Sequence, residues 1–106
     1  MVMDKIYDKV GQEITAGSYI VYGHALGRCA ALQLGKVLEV VVKPSEYRHY
    51  LHNGVEYRIK VRGAANYPDK QTCTPLSRAG VLQFPDRIIV LREDQVPDYV
   101  KAVLDA

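Results

Sequence analysis

The run VEYRIKVRG, Val55 to Gly63, alternates apolar and charged residues with a period of two. Successive side chains of a strand point to opposite faces, so Val55, Tyr57, Ile59 and Val61 share one face and Glu56, Arg58, Lys60 and Arg62 the other. A helix, with its period of 3.6, cannot collect that pattern onto one buried side. The chain is therefore expected to contain a half-buried strand over 55–62, with Tyr57, Ile59 and Val61 against a core and a row of three cations turned to water.

Other segments read the same way. Gly17 supplies backbone freedom just before the β-rich run Ser18-Tyr19-Ile20-Val21-Tyr22, and Gly23 and Gly27 bracket a loop. From Gly35 the chain runs through Val37 and the three valines Val40 to Val42 to Pro44, a strand ended by proline, in which Gly35 marks a bulge or a sharp bend. Asn53-Gly54 signals a turn, closing either a hairpin or a longer loop. Gly63 to Gly80, with Pro68 and Pro75, reads as a long excursion of the kind that often carries function. Val81–Phe84 and Arg87–Leu91 form a strand or strand pair kinked at Pro85-Asp86. A short helix ends the chain, with Asp94 as its cap and Val96, Tyr99, Val100 and Val103 on one stripe. The first dozen residues are either a helical turn or an extended lead-in.

Four or five strands with so few helical residues favour a mainly β fold, a small barrel with a short C-terminal helix, because closure removes the edges of a short sheet. A sheet with the terminal helix packed on one face is the alternative. At 106 residues and 48% hydrophobic composition, the chain suits a single domain, 1–106.

The segment ITAGSYIVYGHALG followed by GKV resembles the opening of KOW-type and related SH3-like small barrels. Ile14, Gly17, Ile20, Val21, Gly27, Gly35 and Val37 occupy the matching positions, while Ser18 stands where such barrels carry Asp and 28–34 exceeds the usual hairpin tip. The compact size, the eight tyrosines and the ending DRIIVLREDQVPDYVKAVL are similar to small accessory proteins of tailed bacteriophages. These resemblances imply a binding module for nucleic acid, transcription machinery or, in a phage setting, a host protein.

The formal charge of +2 is far from that of a protein that coats nucleic acid, so any electropositive function must come from local clustering. Arg58, Lys60 and Arg62 form such a cluster, joined by Tyr47, Arg48 and Tyr50 in the preceding segment, with Tyr67 in a later polar stretch. Arginine can pair with phosphate while tyrosine stacks on bases, but the same residues dominate protein interfaces. A charged solvent face is also the ordinary state of a half-buried strand. Binding of nucleic acid is thus the first expectation; the alternatives are an inhibitor or adaptor of a host protein, using the 63–80 stretch, and a structural assembly component, and a small-molecule substrate is not expected.

No enzymatic activity and no cofactor are expected. His49-x-x-His52 with Cys29 and Cys73 could make a tetrahedral set on paper, but only one half shows the paired short spacing of zinc sites. Cys29 near His24 has no accompanying oxyanion motif and sits in an apolar Cys-Ala-Ala-Leu stretch. Two distant cysteines, no secretory leader and no apolar run of about 18 residues point to reduced thiols in a cytoplasm, the host's if the chain is phage-encoded, and to no membrane partner.

Overall fold

The computed structural model describes residues 5–26, 29–44, 55–76 and 79–106. Its strands are β1 (Ile6–Tyr7), β2 (Glu13–Ile14), β3 (Tyr19–Leu26), β4 (Cys29–Pro44), β5 (Val55–Tyr67), β6 (Thr72–Pro75), β7 (Gly80–Leu82) and β8 (Ile88–Leu91), followed by one helix, α1 (Asp98–Leu104). The fold is mainly β, with eight strands where four or five were expected. β1 and β2 make a small hairpin; the others form one antiparallel sheet in the order β6-β5-β4-β3-β8, with β7 also on β5. β6 and β7 share the same edge of β5, at 64–67 and 59–61. Among the described residues β7 and β8 are not paired, so a closed barrel is not shown. The short 3-10 turn Pro85–Arg87 joins β7 to β8, and Pro85, without an N–H, ends any ladder there.

Alternation builds the sheet's first face. Ile20, Tyr22, Val37, Ile59, Val61 and Ile88 are buried there, with Ile6 and Ile14 of the N-terminal hairpin beneath them and Tyr57, Val40 and Val42 partly covered. Tyr57, Ile59 and Val61 thus lie where the alternation puts them.

The glycines divide into two roles. Gly17, at φ +93°, turns the chain into β3 as expected, a conformation L side chains rarely adopt. Gly35 is not the bulge. It pairs with Gly63 in the regular ladder, and the ring of Tyr22 lies over both, so that a Cβ on Gly35 would meet Tyr22 Cε1 at 3.0 Å and Val61 Cγ1 at 2.8 Å. The register shift falls between Val37 and Glu39, making Leu38 the extra residue.

The stretch 63–80 is likewise not a long loop. β5 continues through Gly63 to Tyr67, turns over 68–71 with Gln71 at φ +51°, and returns as β6. The first dozen residues take the extended alternative. Asp8 organises them: its carboxylate accepts from the backbone N–H of Val10 (3.0 Å), Gln12 (2.8 Å) and Val90 (2.6 Å) and from Gln12 Nε2 (3.1 Å). Gln12 Nε2 also donates to the Val90 carbonyl (2.8 Å), and the Lys9 N–H to that of Ile88 (3.0 Å). The hairpin therefore satisfies the outer backbone groups of β8 as another strand would.

The helix starts later than expected. Glu93–Gln95, including Asp94, is a 3-10 turn, and Pro97 precedes the first helical residue. Val96, Val100 and Leu104 are buried with Ala64 against Tyr19, Leu34, Cys73 and Leu91, while Tyr99 and Val103 are half-buried there. These residues belong to the sheet's second face, so one end of the sheet is covered on both sides. No described helix is long and apolar enough to cross a membrane.

Candidate functional site

On the second face, Leu34, Lys36, Glu39 and Val41 of β4 stand opposite Ala64, Arg62, Lys60 and Arg58 of β5. α1 covers the Leu34–Ala64 end and stops there. Polar contacts fence its limit. Asp105, just past the helix, accepts from Lys36 Nζ (2.8 Å) and from the Tyr19 hydroxyl (2.8 and 2.7 Å), while Arg62 donates to the Ala106 carbonyl. Lys36 and Arg62 are neighbours across the ladder, and the C-terminal end of α1, where carbonyl oxygens collect, accommodates both cations. The bond to Asp105 and partial burial push the Tyr19 hydroxyl up to about 12. Lys36, with Tyr19, holds the Asp105 carboxyl below its ordinary value.

Beyond the fence no described element covers the same face. Arg58 and Lys60 are exposed there. Together with Glu39, Val41 and Val81 they line a shallow depression of about 220 Å³. Val41, Val81 and the bulged Leu38 are 36%, 48% and 44% exposed. Glu39 faces Lys60 directly across the ladder, and Val81 of β7 faces Lys60 from the other side. The surface is therefore mixed: two cations, one carboxylate and exposed aliphatic side chains.

The expected site residues separate into groups. Arg58 and Lys60 are together on the bare surface. Arg62, third in the row, is half-buried and bound to the end of the chain. Tyr67 is exposed but lies nine residues along β5 from Arg58, about 30 Å at strand rise. It borders a different hollow of about 330 Å³ with Leu32, Gln33 and Asn66. Tyr47, Arg48 and Tyr50, with His49 and His52, belong to the connection between β4 and β5 and lie outside the described residues.

Alternation along β5 alone misses Glu39, Val41 and Val81, since it names only that strand's side chains. The signal available was the run Val37 to Val42, but its apolar monotony hides which members face the core, and the extra Leu38 inverts their parity.

Among the described residues no group of three or more His, Cys, Asp or Glu is placed to hold a metal ion. Cys73 is packed under α1, where burial raises its thiol pKa. The ladder pairs Cys29 with Leu26 and His24 with Ala31. Comparison with family models, with curated proteins and with solved structures gives no match.

Proposed function

We propose that this chain is a non-enzymatic binding module that takes a protein partner on the bare end of its second face. The observation that carries the reading is the make-up of that surface: Arg58 and Lys60 share it with exposed Val41 and Val81 and with Glu39, while Arg62 is committed to the chain's own end. Tracking a phosphate backbone needs several uncommitted cations in line and gains nothing from valines or a carboxylate. A polypeptide bearing acidic and apolar side chains uses every element of the patch. The role that fits is an adaptor, inhibitor or regulatory accessory protein of phage type, acting on a host protein in the cytoplasm.

An SH3-like small barrel is the fold reading that accompanies it. Support comes from the strand order β8-β3-β4-β5-β7, a meander whose last strand returns to pair beside its first, and from the 3-10 turn between β7 and β8.

A second reading, binding of nucleic acid or transcription machinery, is favoured by the adjacent Arg58 and Lys60 and by Tyr47, Arg48 and Tyr50 in the connection that follows β4. Affinity capture from nuclease-treated bacterial lysate, run with wild type and with Arg58→Glu/Lys60→Glu, separates the two. The expected result is a stoichiometric protein retained by wild type and lost with the double variant. Loss of all capture after nuclease, with binding to DNA or RNA that falls steeply with salt, overturns the protein reading in favour of the second.

A further inference from the structure

β4 is longer than the strand beside it. β3 accompanies it only to Lys36, and the last bonds on that side join Val37 to Gly17 and Ser18. From Leu38 to Pro44 no described strand pairs with the outer edge of β4, although its inner edge is paired with β5 throughout. Its sequence there is Leu-Glu-Val-Val-Val-Lys-Pro, apolar, β-branched and exposed at Leu38, Glu39 and Val41. Every second residue of a strand edge presents both N–H and C=O outward, and such an edge is a template for another strand. On the same side of the sheet, the outer edge of β8 is already capped by Asp8 and Gln12.

We infer that this edge binds the same edge of a second copy, antiparallel, about a two-fold axis through Val41. The register follows from the sequence. Val41 stands opposite Val41 of the second copy, Val40 opposite Val42, and Glu39 opposite Lys43, so the segment is complementary to itself in both shape and charge. Within one chain Glu39 is already opposite Lys60, and Lys43 opposite Glu56. Across the joined sheets the row therefore reads Lys60, Glu39, Lys43 of the second copy, Glu56 of the second copy, with the sign alternating at every step. A one-residue slip places Val against Lys and breaks the series. The bulge at Leu38 and the missing N–H of Pro44 bound the ladder at 39–43. So short a ladder is smaller than a standard interface, and the dimer is expected to form on the order of tens of micromolar. This inference goes beyond the partner-binding reading: it uses the backbone edge of β4, with Glu39 and Val41 common to both surfaces.

Sedimentation of the purified chain alone over about 1 µM to 1 mM tests it, a range that brackets the expected constant. Wild type is expected to pass from monomer to dimer. Val41→Asp keeps a favourable neighbour in its own Arg58 but sets two carboxylates against each other at the axis, and is expected to stay monomeric with an unchanged circular dichroism spectrum. Glu39→Lys and Lys43→Glu are each expected to weaken the dimer at least about tenfold, and the two together to restore it, because only an isologous pairing converts both repulsions back to attractions. A wild type that stays monomeric to the top of the range, a dimer that survives Val41→Asp, or a double exchange that fails to restore association overturns the inference.

Discussion

Asp8 illustrates how one buried polar residue does the work of a strand. Burial pushes its pKa up, but the N–H groups of Val90, Gln12 and Val10 and the Gln12 amide outweigh that and hold the carboxyl below its ordinary value. A depressed folded pKa means a contribution complete above the unfolded value near 3.8 and lost as pH falls through the folded one. Asp8→Asn keeps the shape but turns an amide donor toward one of these N–H groups, so it is expected to cost about 2 kcal/mol at neutral pH. The same variant should flatten the acid limb of stability, which denaturant titrations between about pH 2 and pH 7 will show, a range that reaches below the ordinary value near 3.8 to where the contribution is lost.

Gly63 makes the complementary point about space. A Cβ there would collide with the Tyr22 hydroxyl and approach Leu76 Cδ1 to 2.8 Å. Tyr22 is buried and its ring cannot swing away, whereas Leu76 is exposed and can. Gly63→Ala is therefore expected to destabilise by about 1–3 kcal/mol. Tyr22→Phe, which removes the obstructing oxygen, should recover part of that loss when combined with it; a thermal melt of the double variant no better than Gly63→Ala alone would remove the ring-seat explanation.

At the scale of elements, α1 is seven residues long and could not persist in water without the sheet beneath it. Its docking depends on Val96, Val100 and Leu104, and it covers Cys73. Leu104→Ala is expected to cost about 2–4 kcal/mol and to loosen the last turn. Because Cys73 packs against the cluster that seats α1, its thiol should react faster with a disulfide reagent in the variant than in wild type, measured in a Cys29→Ala background so that one thiol is counted. An unchanged thiol rate alongside a lowered Tm would show that the helix stays seated. The bulge in β4 is the other decisive element. By adding Leu38 it rotates the following residues, so that Val37, Val40 and Val42 share the core side while Glu39 and Val41 join Arg58 and Lys60 outside.

For the molecule as a whole, described elements lie on both faces of the sheet at the α1 end, and none lies on the second face at the other. The N-terminal hairpin lies under the first face, the terminal helix over part of the second, and the remainder of that second face is where the exposed cations stand. The mainly β character, the strand over 55–62, the turn at Gly17 and the terminal helix were legible from residue pattern, because alternation, turn chemistry and helical stripes are properties of a few consecutive residues. They express themselves wherever the segment is placed. The fate of Arg62 was not legible, since its neighbours in sequence are alike in kind to those of Lys60, and only the return of residues 105–106 to its side gives it a partner. Nor were the extra residue at Leu38, the seat of the Tyr22 ring over Gly35 and Gly63, or the pairing of 64–67 with 72–75, because each depends on which strands lie side by side. Adjacency is settled by contacts between residues far apart in the chain, and a pattern of local period carries no information about them.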